Sequence, residues 1–276
     1  MAYNLLKGKR GIIFGALNEE SIAWKVAERC YEEGATFTLT NAPVAMRLGE
    51  ISKLAEKCKS KVISADATIL EDLENLVQES VHFLGGNIDF VLHSIGMSPN
   101  IRKGKSYGDL NYEWYIKTID VSALSFHKIM HVLEKKDALN EGASIVALSY
   151  IAAQRVFPDY TDMAEAKAML ESIARGYGAR LGKLKKVRVN TVSQSPTMTT
   201  AGKGIPGFGA FFDFADKMSP LGNASAMECA DYIVTLFSDL TRKVTMQNLY
   251  HDGGFSTTGM TEEVMQIFER LKQAGE

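Results

Sequence analysis

The residues that could do chemistry in this chain are Tyr160 and Lys167, which stand seven positions apart. On an α-helix that spacing is about two turns, so both side chains would leave from one face. A nearby ammonium favours the phenolate and thereby lowers the pKa of a tyrosine, so such a pair can deliver a proton. The same spacing occurs in helices whose tyrosine packs and whose lysine is solvated, so the surrounding sequence must decide.

The preceding segment favours the catalytic interpretation. Residues 142–149 are small or apolar and predict a buried parallel strand. In open parallel sheets, ligand sites form at the carboxyl ends of the strands. Tyr150 falls at that end and is a further candidate catalytic residue.

Length and composition predict one domain over residues 1–276, long enough to bury a large core. The net charge of -2 argues against broad nucleic-acid or anionic-membrane binding. Cys30, Cys58 and Cys229 lack the close spacing of metal ligands, so we expect buried thiols in a reducing cytosol and no metal site. No signal peptide or membrane span is predicted, which makes the cytoplasm the expected location.

Strands and helices alternate along the chain, and the strands are continuously apolar, as they are when both faces of a sheet are covered. The predicted fold class is α/β, a doubly wound parallel sheet of the Rossmann type with seven strands and helices on both faces. The predicted strands are 11–15, 35–40, 61–65, 88–94, 142–149, 187–192 and 247–251. The predicted helices are 21–33, 44–58, 71–84, 111–133, 160–181 and 227–238.

Residues 197–220 form a glycine-rich segment that also carries Phe208, Phe211, Phe212 and Phe214. Long irregular loops in compact domains are functional lids or disordered segments, and the aromatic content argues against disorder. We expect a mobile apolar flap that closes over a greasy substrate and that orders when ligands bind. The alternative is a surface helix hairpin packed on a neighbouring subunit.

The junction of the first strand and the first helix is where a dinucleotide pyrophosphate would meet helix amides. Gly15 begins this loop, and Ser21 and Ile22 end it without a full G-x-G-x-x-G motif. Ser21 can cap the helix or donate to a phosphate. Glu19 and Glu20 would repel phosphates, so we expect both in solvent.

Other strand ends offer weaker signals. The second strand ends in Thr40-Asn41-Ala42, which has neither the acid typical of NAD binding nor the arginine typical of NADP binding, so the cofactor choice stays open. Asp66 follows the third strand and could accept from an adenine amino group or cap the next helix. After the fourth strand, Gly96 allows backbone to approach a ligand. His93 is expected to be a hydrogen-bonded core residue.

With these motifs, the chain resembles the short-chain dehydrogenase/reductase superfamily and, within it, the bacterial NADH-type enoyl-[acyl-carrier-protein] reductases. The resemblance covers nearly the whole chain. It rests on Gly15-x5-Ser21-Ile22-Ala23, His93-Ser94-Ile95-Gly96, Leu148-Ser149-Tyr150, Tyr160-x6-Lys167, Arg188-Val189-Asn190 and Asp252-Gly253-Gly254.

The resemblance implies an activity: reduction of the C=C bond of trans-2-enoyl-[acyl-carrier-protein] with NADH in type II fatty acid biosynthesis, NADPH not being excluded. It implies that Tyr160 hydrogen-bonds the thioester carbonyl, Lys167 holds the nicotinamide ribose, and Tyr150 lines the substrate pocket. It also implies that Ser98 contacts the acyl substrate. The cofactor contacts that it implies are Gly15, Ser21, Ile22, Asp66, Ala67, Ile95, Gly96, Lys167, Thr197, Met198, Thr199, Thr200 and Ala201.

The resemblance further implies a homotetramer and an acyl carrier protein as partner, for whose docking Arg102 and Lys203 are candidates. The sequence departs from the family pattern at Pro196 and Ala42, which leaves fine cofactor contacts open. A rival interpretation is a carbonyl reductase that uses Ser149 with Tyr160 and Lys167. A non-enzymatic dinucleotide sensor is a more distant alternative.

Overall fold

Seven parallel strands form one sheet in the computed structural model, which describes residues 2–48, 50–158 and 160–275. The spatial order is β3-β2-β1-β4-β5-β6-β7, with every neighbouring pair parallel. This confirms the predicted fold class, whereas the division into a single domain over 1–276 remains a prediction. The strands are β1 (Arg10–Phe14), β2 (Thr36–Thr40), β3 (Lys61–Val62), β4 (Ile88–His93), β5 (Leu139–Ser149), β6 (Arg188–Gln194) and β7 (Asn248–His251).

Helices cover both faces of this sheet. In chain order they are α1 (Ile22–Glu32), α2 (Pro43–Leu48), α3 (Ile51–Cys58), α4 (Leu70–Leu84), α5 (Pro99–Arg102), α6 (Tyr112–Ile119), α7 (Ser125–Lys135), α8 (Thr161–Lys185), α9 (Thr200–Lys203), α10 (Phe208–Met218), α11 (Ala226–Phe237) and α12 (Glu262–Ala274). A π-helical segment, Asp120–Leu124, joins α6 to α7. None of the helices described here is long and apolar enough to cross a membrane.

The apolar core lies in two layers, one on each side of the sheet. One layer packs α4, α7 and α8 against the strands through residues such as Leu76, Phe126 and Leu170. The other packs α1, α3 and α11 through residues such as Trp24, Leu54 and Ile233. Because both faces are buried, the strands need apolar residues at successive positions, which explains their continuous hydrophobicity.

The strand order reverses between β1 and β4. The chain runs outward from β1 through β2 to β3, then crosses back to β4 and continues the other way. Ligands bind at such a switch point, in the crevice beyond the carboxyl ends of the strands. Phe14 pairs with His93 there, so the loops that follow β1 and β4 leave the sheet side by side.

Four predicted elements differ from the structure. The third strand is only Lys61–Val62, and the predicted helix 111–133 is divided by the π-helical segment. The predicted helix 44–58 is two helices, and Gly49 between them lies outside the described residues. The predicted irregular flap contains α9 and α10.

Candidate active site

Lys167 is buried beneath the carboxyl end of β5. Its ammonium donates to the backbone oxygen of Leu148 at 2.7 Å, which is its one hydrogen-bond partner among the residues described. A Cβ built on Gly96 would lie 3.7 Å from the Lys167 nitrogen. An ammonium has three N–H donors. Donors therefore remain for a ligand that enters past Gly96.

Tyr160 and Tyr150 form an aromatic pair at the end of β5, where Tyr150 stands two residues after the Leu148 that accepts from Lys167. Their ring centroids are 5.0 Å apart at an interplanar angle of 52°. The Tyr150 hydroxyl is buried and has no hydrogen-bond partner in the described part of the chain. A buried polar group without a partner is costly and indicates a missing ligand or water. Tyr150 and Lys167 thus both present unused hydrogen-bonding capacity at the end of β5.

Two expectations for this pair were wrong in detail. Tyr160 is not inside a helix, because α8 begins at Thr161 and Tyr160 occupies the position before it. The pKa of Tyr160 is raised by burial rather than lowered by the ammonium. Burial also lowers the pKa of Lys167 to about 8, against an opposing effect of the Glu171 carboxylate. Desolvation, which disfavours both charged forms, outweighs the attraction expected between them.

Ser149 commits its hydroxyl to a carboxylate of α8. Its hydroxyl donates to the Glu171 carboxylate at 2.7 Å, and Gln154 donates to the other oxygen of that carboxylate at 3.1 Å. Position 147, thirteen residues before Tyr160, is a fully buried alanine in β5. These observations oppose a carbonyl reductase in which a serine polarises the substrate.

The loop after β4 is fixed by the π-helical segment. The hydroxyl of Ser122 accepts from the Met97 amide at 3.0 Å and donates to the Met97 oxygen at 3.2 Å. His93 is fully buried and bonds Ser125 at 2.9 Å, as expected for a core histidine. Its pKa is lowered to about 3 by burial and by the Lys167 charge. Ile95 packs on the core, which leaves Gly96 exposed beside Lys167.

The first loop is shaped around Ser21 and Gly15. The Ser21 hydroxyl accepts from the amides of Leu17 and Asn18, both at 3.1 Å, and makes no capping bond to α1. Gly15 has φ +95°, and a Cβ there would lie 2.0 Å from the Ser94 backbone oxygen. The side-chain cap that was one alternative for Ser21 is therefore absent. Glycine is required where the loops after β1 and β4 meet.

The segment Thr197–Ala201 faces this first loop. Asn18 donates to the Thr200 hydroxyl at 2.7 Å, and that hydroxyl donates to Glu20 at 3.1 Å. Lys203 donates to the same Glu20 carboxylate at 2.5 Å. Glu20 is exposed, as expected, and its pKa is lowered by the bond from Lys203. Two segments predicted to hold one cofactor thus lie in direct contact with each other.

The adenine candidates have local partners of their own. Asp66 accepts from the amide of Thr68 at 2.9 Å and from its hydroxyl at 2.7 Å. Asp66 is partly buried and Ala67 is buried behind it. One Asp66 oxygen is thereby occupied in shaping the turn, so the adenine contact stays a prediction.

Ser98 is also occupied. Its hydroxyl donates to Asp162 at 2.7 Å and accepts from the Ile101 amide at 3.1 Å, which caps α5. The hydroxyl therefore has no donor left for the carbonyl of an acyl substrate. Contact between substrate and the Ser98 backbone stays a prediction.

The aromatic residues of the flap pack on the tyrosine pair. Phe211 lies 6.3 Å from Tyr150 and 5.5 Å from Phe157, in edge-to-face geometry. Phe255 from the segment after β7 lies 6.0 Å from Phe157. Phe208 is buried within the same cluster. These rings form a continuous apolar cluster that includes Tyr150.

These features fit a nicotinamide dinucleotide. Gly15 and Gly96 give backbone access, Lys167 retains donors beside Gly96, and the first loop presents backbone groups at the start of α1. Arg47 on α2 is exposed, and the end of β2 carries no charged side chain. No cluster of His, Cys, Asp or Glu that could hold a metal occurs among the described residues. The three cysteines are buried and free.

Several residues around this site were not predicted from the sequence, because they belong to no recognised motif. Asp162, Glu171, Ser122 and Phe255 contact the candidate catalytic groups or their neighbours, yet they come from three separate segments. Glu171 could have been found from its spacing, one helical turn after Lys167. The others depend on tertiary contacts.

The fold and site define an oxidoreductase of the short-chain dehydrogenase/reductase superfamily. The family model described as enoyl-(acyl carrier protein) reductase matches residues 15–256. An enoyl-[acyl-carrier-protein] reductase [NADH] from Rhizobium meliloti is 33% identical, over 94% of this chain and 94% of its own length. The chain therefore belongs to the enoyl-(acyl carrier protein) reductase family.

Solved structures agree. A FabI–NADH complex from Alistipes finegoldii has 65% sequence identity and a TM-score of 0.93, covering 94% of this chain and 92% of that one. The enoyl-[acyl-carrier-protein] reductase (NADH) from Aquifex aeolicus has 31% identity and a TM-score of 0.85, covering 93% and 100%. The expected family and fold are confirmed.

Proposed function

We propose that this chain reduces the C=C bond of trans-2-enoyl-[acyl-carrier-protein] with NADH, and that Tyr150, Tyr160 and Lys167 carry the chemistry. The observation that carries the proposal is the set of groups at the end of β5: a buried ammonium with spare donors beside an aromatic pair that includes an unpartnered phenol. The named relatives are NADH-dependent enoyl reductases, which supports the same reaction and cofactor here.

The state of Tyr160 suits a hydrogen-bond donor. Because burial raises the pKa of Tyr160, its phenol stays protonated at neutral pH. When bound, NADH supplies the hydride that adds to the β-carbon. The Tyr160 hydroxyl would then donate to the thioester carbonyl oxygen, where negative charge develops as the enolate forms. Tyr150 would line the pocket beside it.

Lys167 has two parts in this proposal. Its bond to Leu148 fixes the ammonium under the strand end, and its remaining donors would hold the ribose hydroxyls of NADH. Its positive charge, close to the developing oxyanion, would stabilise that charge in a water-poor site. Gly15, Ser21, Ile22, Asp66, Ala67, Ile95, Gly96 and Thr197 to Ala201 would hold the rest of the cofactor.

The cluster of Tyr150, Phe157, Phe208, Phe211 and Phe255 would take the acyl chain. Its rings pack Tyr150 of the tyrosine pair against Phe208 and Phe211 of the flap and against Phe157 and Phe255. Arg102 and Lys203 would approach an acidic carrier protein. The homotetramer, the cytoplasmic location and the ordering of the flap on ligand binding remain predictions.

The experiment is an assay of purified protein by the loss of NADH absorbance. We expect turnover with crotonyl thioester and none with acetoacetyl thioester. Turnover of acetoacetyl thioester alone would establish the carbonyl reductase instead. Absence of turnover with both substrates, despite NADH binding, would support a dinucleotide sensor.

A further inference from the structure

Asp162 is a fully buried carboxylate that receives four hydrogen bonds. Ser98 donates at 2.7 Å and Thr161 at 3.0 Å to one oxygen, while Asn100 and Thr118 each donate at 2.8 Å to the other. No lysine, arginine or histidine pairs with it among the described residues. A buried charge held only by neutral donors is rare and needs every one of them.

The donors come from three separate parts of the fold. Ser98 and Asn100 belong to the cap and first turn of α5, two to four residues after the Gly96 that borders Lys167. Thr118 belongs to α6, and Asn100 also exchanges two bonds with the Asn111 backbone at the start of that helix. Asp162 therefore ties the first turn of α8 to both sides of the loop that follows β4.

The residue between Tyr160 and Asp162 has a strained backbone. Thr161 has φ +37°, whereas β-branched residues avoid positive φ. Such a conformation persists only where surrounding contacts determine it, and it tends to occur at functional sites. The Thr161 hydroxyl and the adjacent carboxylate belong to the same network. This turn sets the direction in which Tyr160 leaves the start of α8.

A carboxylate is the group that this site requires. Two oxygens without hydrogens can accept all four bonds, whereas an amide would turn an NH₂ toward at least one donor. An acid in the first turn of a helix is also stabilised by the helix dipole, but that effect needs no burial. Stabilisation of the α8 terminus therefore does not explain why Asp162 is fully buried and accepts four hydrogen bonds.

We propose that Asp162 is a positioning residue, which holds the Thr161 turn so that the Tyr160 hydroxyl faces the substrate carbonyl. The proposal rests on the function proposed above. It assigns Asp162 an effect on the chemical step rather than on NADH binding, because no Asp162 bond involves the candidate cofactor contacts Lys167 or Gly96.

The first test is Asp162→Asn, measured by kcat with crotonyl thioester, by the Kd of NADH and by thermal melting. We expect kcat to fall by about 10- to 100-fold, as misplacement of a reacting group by about 1 Å can cost this much, while the Kd of NADH stays within about threefold. The matched control is Glu33→Gln, at another fully buried carboxylate, distant in sequence from Asp162. Glu33 accepts from the backbone amides of Tyr3 and Leu5 and pairs with Arg29. The control substitution should lower the melting temperature and leave kcat unchanged.

The second test separates positioning from general destabilisation. Glycine adopts positive φ without strain, so Thr161→Gly in the Asp162→Asn background should recover at least about a third of the lost kcat on a logarithmic scale. Should Asp162→Asn not fold, Thr118→Val removes one donor at constant shape and should lower kcat by about threefold to tenfold.

Three outcomes would each overturn the positioning role. They are equal kcat losses in the Asp162 and Glu33 variants, a loss confined to NADH affinity, and no recovery of kcat in the double variant. If wild-type protein does not turn over crotonyl thioester at all, the proposed function fails first, and that result is distinguishable from the others.

Discussion

The two sides of the candidate site hold their polar groups in opposite ways. On the tyrosine side, Lys167 and Asp162 are buried; Lys167 donates a short bond to a backbone oxygen, and Asp162 accepts short bonds from neutral groups. On the nucleotide side, Glu20 of the first loop pairs with Thr200 and Lys203 of the flap, and all three are exposed. A buried polar group loses much when its partner is removed, whereas exposed pairs exchange readily with water. The contrast indicates a preorganised reaction centre and an adaptable entrance.

Removal of the candidate catalytic groups should give the largest effect. Tyr160→Phe deletes the donor to the developing oxyanion, and we expect kcat with crotonyl thioester to fall by about 100- to 1000-fold. Lys167→Ala should lower kcat/KM at least as far, because it also removes a ribose donor. Steady-state kinetics and circular dichroism check activity and folding.

The matched control for these variants is Tyr177→Phe. Tyr177 lies on the same helix, α8, and its hydroxyl makes only a long bond of 3.4 Å to the His127 oxygen. Its loss should leave kcat within about twofold, since a hydrogen bond of this length contributes little. If Tyr160→Phe lowers kcat no more than Tyr177→Phe does, the Tyr160 hydroxyl does not stabilise the oxyanion. The idea of a preorganised reaction centre on the tyrosine side would then be wrong.

Gly15 is a position on the nucleotide side where the backbone geometry requires glycine. Gly15→Ala should lower the free energy of unfolding by about 1–3 kcal/mol, because the new Cβ meets the Ser94 oxygen and the positive φ is strained. Gly176→Ala is the control of opposite sign. Gly176 lies exposed inside α8 with nothing near its missing Cβ, so alanine should stabilise by about 0.5–1 kcal/mol. Urea unfolding of both variants checks the signs.

The burial of Lys167 predicts a pH dependence of NADH binding. With its pKa lowered to about 8, Lys167 is an ammonium below that pH and becomes a neutral amine as the pH rises through it. If the ammonium donates to the ribose, the Kd of NADH should rise about tenfold between about pH 7 and about pH 9. Titration calorimetry across that range measures it. In Lys167→Ala the same titration should be flat, and a wild-type Kd independent of pH would contradict the predicted ribose contact.

On the tyrosine side of the site, the sequence predicted the strands that position the residues but not the local backbone around Tyr160. Continuous apolar strands such as residues 88–94 and 142–149 placed the sheet and the carboxyl end that carries Tyr150, because a doubly covered sheet leaves a strong local signal. Lys167 bonds Leu148 at the end of that strand, whereas Tyr160 lies just before α8 rather than inside it. The positive φ of Thr161 has no sequence signature, and the bonds that hold the adjacent Asp162 come from residues distant in the chain, Ser98, Asn100 and Thr118.

The flap shows the opposite case. Its glycines from Gly202 to Gly209 suggested irregular chain, yet α9 and α10 form within it. Thr199 caps α9 by accepting from the Gly202 amide at 3.0 Å, and packing of Phe208 and Phe211 stabilises α10. Propensity is a weak prior that packing overrides. Pairing of the flap with Glu20 was likewise invisible, because the residues are far apart in the chain.

The smallest expected effect belongs to this exposed contact between the first loop and the flap. Glu20→Gln removes the charge that Lys203 and Thr200 share, so the flap should open more readily and the KM for NADH should rise by less than about threefold. The wild-type protein should approach the same KM as salt is raised, because screening weakens exposed pairs and leaves buried groups largely unaffected. Glu79→Gln, at an exposed pair with Lys61 on the far edge of the sheet, controls for charge alone. A loss in kcat as large as that of Tyr160→Phe would place Glu20 with the preorganised groups and remove the distinction between the two sides.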